Sequence, residues 1–327
     1  LQGVNLPAKH IIVENPKRGS GKEMTRAEFL NLAGRAGRLM HEFHGNVWCV
    51  RPASWGAKSY EGEQLTEIRS AINEVMADGG TIIQKVLKDD VSDVELDYGE
   101  AALGKIYCDF VRGGRDLAQS AWRTDANAEE LTKTARVLTK LHVALPTHVL
   151  DANRSVRPDR LQVLYERLKR EEDPSALVPL RPGLPGANDR MGMIIQIVQE
   201  TLGGVDNNSH KFYKWLAIQW IQNAPLKEII ALRLAHLARS GSSQSLTASI
   251  RELLGALEVA IRFRLVKYYM AYGSVLELVL REQGDKATAD ALEPFHVYLE
   301  CGASDRVALN LIALGLSRFT ALALRAK

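Results

Sequence analysis

The feature that most constrains this chain is a change of periodicity near residue 60. From Glu61 onward almost every segment repeats its apolar residues at three- and four-residue intervals, with Gly and Pro between segments. That pattern predicts a stack of amphipathic helices. One example is Leu161, Leu164 and Leu168 on one face, with Arg160, Arg167 and Lys169 beyond it. Further helices are expected at about 192–202, 209–221, 226–239, 246–282 and 287–300, with a closing pair at about 304–314 and 317–326. The Pro- and Gly-rich stretch 176–189 reads as an exposed boundary.

Before residue 60 the pattern is different. Ile11-Ile12-Val13 is a short β-branched run and predicts a buried strand. Thr25 is placed to cap a helix, with Glu28 three residues on as its capping-box partner. Val47-Trp48-Cys49-Val50 predicts a second strand. Strand, helix, strand is an α/β arrangement. The expected fold class is therefore mixed: a partial α/β lobe at 1–58, then a mainly α-helical region. The latter divides into 59–180, with a winged-helix-like form considered, and a bundle at 181–327.

Composition narrows the setting. The chain is 46% hydrophobic and 25% charged, as globular proteins are, and no stretch is long and apolar enough to span a membrane. Cys49, Cys108 and Cys301 lie far apart with no CxxC, which fits a reducing cytoplasm better than a disulfide framework. Leu1 to Pro7 reads like the middle of a domain, so a fragment is expected. The net charge of +3 hides an uneven distribution. Residues 1–60 carry nine Lys/Arg against four Asp/Glu, residues 61–130 seven against sixteen, and residues 231–270 six against two. The basic regions suit nucleic acid, and the acidic one suits a solvated face or a protein-docking surface.

The densest chemistry lies in Asn31-Leu32-Ala33-Gly34-Arg35-Ala36-Gly37-Arg38. Two arginines three apart share a helix face, and guanidinium groups bind phosphate oxygens in a bidentate fork. Taken alone, the segment also reads as a basic helix end with a glycine stop. It is preceded by Gly3-Val4-Asn5-Leu6-Pro7-Ala8 at a spacing that brings both to one sheet edge, where α/β proteins hold ligands. Together these segments resemble motifs V and VI of superfamily-two helicases, the DExH/DEAD-box group. Within that group the chain is most similar to the branch with helical C-terminal domains that includes the superkiller-like enzymes.

The resemblance covers residues 1–52 and is looser beyond. It implies that Arg38 is an arginine finger aimed at the γ-phosphate of ATP and that Arg35 is its companion. Gly34 and Gly37 match the motif glycines, and Gly3 and Asn5 match the motif that couples nucleotide to nucleic-acid backbone. Asn31 stands where the family commonly has Gln, a side chain one methylene longer. ATP with Mg2+ would be held mainly by an N-terminal ATPase lobe outside this sequence. Gly19-Ser20-Gly21-Lys22 imitates the end of a P-loop, but Pro16 and Glu23 stand where Gly and a magnesium-binding hydroxyl belong. A loop touching nucleic acid through Lys17, Arg18 and Lys22 is the expectation there.

Two further segments invite single-stranded or duplex nucleic acid. In 249–282, Arg262, Arg264 and Lys267 alternate with Phe263, Tyr268, Tyr269 and Tyr272, so cations for phosphates are interleaved with rings for bases. The same segment also reads as a core helix with a solvated basic face. Near the end, Gly315, Ser317 and Arg318 resemble the turn of a helix-hairpin-helix, or an ordinary αα turn. Trp215 and Trp220 are expected in the core. The functional expectation is the C-terminal part of an ATP-dependent helicase, inactive alone. The alternative is a non-enzymatic nucleic-acid-binding or protein-docking helical module with a degenerate lobe.

Overall fold

In the computed structural model the helix that begins the chain's first layer starts as the capping box requires. The Thr25 amide donates to Glu28 Oε2 at 2.9 Å, and the Glu28 amide returns a bond to Thr25 Oγ1 at 3.4 Å. The structure describes residues 10–14, 16–17, 23–33, 46–61, 75–77, 79–91, 93–203 and 210–324. The chain forms two units, Leu1–Arg69 and Ser70–Lys327.

In the first unit, β1 (His10–Val13) pairs in parallel with β2 (Asn46–Cys49), in the register His10↔Asn46 to Val13↔Cys49. Parallel neighbours need a crossover connection, and α1 (Arg26–Ala33) lies within it. One sheet face carries Val13, which packs with Phe29 of α1 and Trp55 in a small core. Phe29 and Trp55 meet at 6.1 Å between ring centroids, and Tyr60 meets Trp55 edge-on at 5.4 Å. The Trp55 indole N–H is shared between the carbonyls of Glu14 and Val50, both at 3.1 Å. On the opposite face the register partners Ile12 and Trp48 are 71% and 59% exposed.

The second unit is helical. It comprises α2 (Thr81–Leu87), α3 (Asp93–Arg112), α4 (Ala128–Thr139), α5 (Thr147–Ala152), α6 (Pro158–Lys169), α7 (Ala187–Leu202), α8 (His210–Ile221) and α9 (Leu226–Arg239). A continuous rod follows: α10 (Leu246–Gly255), a π-helical stretch (Ala256–Leu265) and α11 (Val266–Glu282). The last elements are α12 (Lys286–Asp290), α13 (Phe295–Cys301), α14 (Arg306–Ala313) and α15 (Arg318–Leu324). The protein is mainly helical with one small parallel sheet, and no described helix is long and apolar enough to cross a membrane.

The mast of this unit is α11, which packs against α6, α7 and α13. Its Tyr268, Tyr269, Tyr272, Val275, Leu276, Val279 and Leu280 are all buried. Leu161, Leu164 and Leu168 of α6 face inward, as their spacing predicts. The Pro-rich stretch near 180 does not divide the core. Leu177 is buried, its carbonyl takes the Tyr272 hydroxyl at 2.8 Å, and one hydrophobic core runs from Val75 to Leu299. No strand lies between 75 and 324 among the described residues.

Candidate functional site

The rod 246–282 carries Arg262, Arg264 and Lys267 together with Phe263, Tyr268, Tyr269 and Tyr272. Ser245 caps its start by accepting the Ala248 amide. Leu253, Leu257 and Ile261 face the core as the helical period predicts, whereas Leu254 is left 38% exposed. Beyond Gly255 the helix widens to π geometry, which is rare and frequent at functional sites. On this stretch Val259 and Phe263 point outward at 49% and 55% exposure, beside Arg262. The Arg262 side chain is half exposed, with Nε on the Glu300 carbonyl at 3.3 Å and a guanidinium nitrogen 3.9 Å from Glu258.

Next to it lies an open cleft of about 220 Å³ lined by Phe212, Tyr213, Gly255, Ala256, Ala260 and Arg264. Arg233 stacks over Phe212 at 4.2 Å and pairs with Glu252 at 3.2 Å, so the rim carboxylate is neutralised. Sequence reasoning did not single out Phe212 or Arg233. Their partnership depends on α8 and α9 folding back on each other, which no local pattern announces. The Phe212 ring and the Arg233 guanidinium are thus already partnered within the chain.

Other residues of the same segment differ from the sequence reading. Lys267 does not reach solvent: its ammonium lies 2.6 Å from Glu100 Oε2, with the two side chains 8% and 2% exposed. Tyr268 lends its hydroxyl to the same carboxylate at 3.4 Å, and the ammonium lies 4.7 Å from the Tyr268 ring centre. Tyr268, Tyr269 and Tyr272 are core rings rather than a stacking platform. Burial pushes the phenols of Tyr269 and Tyr272 well above their ordinary range. The rod therefore presents Arg262 and Phe263, while its next turn is committed to packing.

The closing helical pair also spends its groups internally. Gly315 takes φ +93°, the left-handed conformation that suits glycine at a helix end. The amides of Gly315 and Leu316 donate back to Ile312 and Leu311, so a phosphate would not find them free. Ser317 caps α15, accepting the Thr320 amide at 3.1 Å. Arg318 stacks on Trp220 at 3.9 Å and donates to the carbonyls of Gly302, Trp220 and Ala224. Trp220 is buried, as expected. Arg318 thus fastens the pair to α8 and α13 instead of facing outward.

In the first unit Asn31 is exposed on α1, and Lys17 pairs with Glu23 at 3.4 Å across an antiparallel bridge. Gly3, Asn5, Arg18, Lys22, Gly34, Arg35, Gly37 and Arg38 lie outside the described residues. In the acidic segment, Asp89 binds Arg157 at 2.5 Å and Arg160 at 3.3 Å, and Glu100 is the buried partner of Lys267. Those carboxylates brace helices. No protein-family model matches the chain, and no curated protein matches it in sequence.

Proposed function

We propose that this chain is the C-terminal part of an ATP-dependent nucleic-acid helicase, combining part of a RecA-like second lobe with helical domains that guide the nucleic acid. The observation that supports it most is the parallel β1–β2 pair with α1 in its crossover and Ile12 and Trp48 exposed on its outer face. Parallel sheets are ordinarily covered on both faces. Ile12 and Trp48, exposed side by side, suit a sheet that continues with strands and helices from elsewhere. In sequence, the segment carrying Arg35 and Arg38 falls between α1 and β2, and α/β sheets hold ligands at their edges.

ATP with Mg2+ belongs to the other lobe in this reading. Glu23, salt-bridged to Lys17, is a carboxylate where the P-loop pattern needs a magnesium-binding hydroxyl, and Pro16 replaces its first glycine. What this chain contributes is charge: two guanidinium groups that stabilise the departing γ-phosphate, as arginine fingers do. In the helical unit, Arg262 and Phe263 would meet the strand.

The test uses the protein in which this sequence is joined to an ATP-binding lobe. Arg38→Ala should lower ATP turnover by about 10³–10⁵-fold while nucleotide binding persists. Turnover at the parental rate would refute the assignment.

A further inference from the structure

We propose, independently of the helicase reading, that the π-helical stretch Ala256–Leu265 is a hinge, on which the hairpin of α9 and α10 swings against the rest of the helical unit. The hinge originates in the spacing of the core residues. Along the rod Ser249, Leu253, Leu257, Ile261, Leu265 and Tyr269 are all buried, one in every four residues. An α-helix turns once in about 3.6 residues, so a strict four-residue repeat drifts by roughly 40° at each step. Over the five steps from Ser249 to Tyr269 the drift would reach roughly 200°, enough to turn one end of the stripe away from the core. All six stay inside because the helix widens between Ala256 and Leu265, where i→i+5 bonds drift the opposite way. Five α-helical turns take about 18 residues, and the rod spends about two more than that between Ser249 and Tyr269. Those surplus residues are stored in the π stretch.

The two flanks of the stretch are held unequally. On the downstream side α11 buries eight of its 17 residues, and the Lys267–Glu100 pair pins its first turn. On the upstream side α9 buries only Ile229 of its 14 residues, and α10 only Ser249 and Leu253 of its 10. These two helices form one body, because Glu252 accepts from both Arg233 and Gln244, at 3.2 and 2.9 Å. The loop joining them, 240–245, is exposed throughout and leaves the hairpin free at its far end. Gly255 stands at the entrance to the stretch, with open space where a Cβ would be and the poorest helix propensity after proline. Helices kink at π turns, and hinges lie where an element ends on a few such residues. The swing alters the cleft between α8 and the stretch, and the stack of Arg233 on Phe212 is a contact it has to release.

The experiment is amide hydrogen exchange by mass spectrometry on the whole chain. Amides of 256–265 should exchange at least about tenfold faster than those of 250–254 and 268–280, the α-helical flanks, because only the joint opens. Deleting Glu258, whose side chain is exposed, removes one surplus residue and brings the spacing close to α-helical. That variant should fold, melt no lower than the parent and lose the fast exchange. Deleting Gly273 is the control. It lies in α11, where no residue is spare, and its removal turns Val275, Leu276, Val279 and Leu280 off the core, so the cooperative melt should be lost. Three results would each overturn the proposal. Protection of 256–265 equal to that of 268–280 would make the stretch a rigid adaptation to the four-residue repeat. Exchange of 250–254 as fast as the stretch would mean fraying of the whole hairpin. Loss of the folded state on deleting Glu258, as on deleting Gly273, would mean that no residue is surplus.

Discussion

Replacing Lys267 by Met puts the central packing of the helical unit to a quantitative test. In the native protein its ammonium and the Glu100 carboxylate lie 2.6 Å apart, the side chains 8% and 2% exposed. At an effective dielectric of about 20, two unit charges at that distance attract by about 6 kcal/mol. Removing two ions from water costs several kcal/mol each, so the intact pair is close to neutral relative to well-packed apolar residues. The single substitution is not neutral. It leaves Glu100 with the Tyr268 hydroxyl and the Arg157 amide, both at the long distance of 3.4 Å, and no counter-charge in that environment. The expected loss is about 3–5 kcal/mol, the range for deleting one partner of a buried pair. At about 2–4 °C per kcal/mol for a unit of this size, the melting temperature should fall by roughly 10 °C. Urea unfolding followed by circular dichroism measures the loss directly. The double substitution Glu100→Leu with Lys267→Met should recover most of it, because neither ion of the pair is left buried without its partner. A loss below about 1 kcal/mol in the single variant, or a double variant no more stable than the single, would refute the reasoning.

The closing helical pair should depend on one side chain. Arg318→Ala removes the stack on Trp220 and the donors to three carbonyls, so amide exchange over 306–324 should accelerate by an amount equivalent to about 1–3 kcal/mol, and Arg318→Lys, lacking the plane, should not restore it. His296 gives a pH signature: burial lowers its pKa from 6.5, with Glu300 opposing. The folded state therefore binds that proton less readily than the unfolded chain, and its contribution is present above pH 6.5 and lost as pH falls through the lowered value. His296→Gln should flatten the acid side of a plot of urea midpoint against pH, and an unchanged slope would contradict the assignment.

Which regions of this protein can be read from its sequence follows the range of the interactions involved. The capping box at Thr25 and Glu28 spans three residues, and the leucines of α6 span two helical turns. Both are legible because cause and effect lie within one element. The rod 246–282 shows the limit. Its apolar stripe is readable through Leu253, Leu257 and Ile261, yet the same alternation of Lys, Arg, Tyr and Phe that suggests a nucleic-acid face hides two different fates. Arg262 and Phe263 face outward, whereas Lys267 and Tyr268 close on Glu100, a partner whose nearness is set by how α3 packs on the bundle. Arg318 is the parallel case, aimed at Trp220 and the end of α8 rather than at solvent. A cation beside aromatic residues in sequence is thus ambiguous until the position of the nearest carboxylate or carbonyl is known. Burial decides between the two outcomes. A cation with an anion inside the core stabilises the packing only while the pair is intact, and a cation held at the surface remains available to an external phosphate. On that criterion the proposed nucleic-acid contacts of the helical unit belong on the face around Arg262 and Phe263.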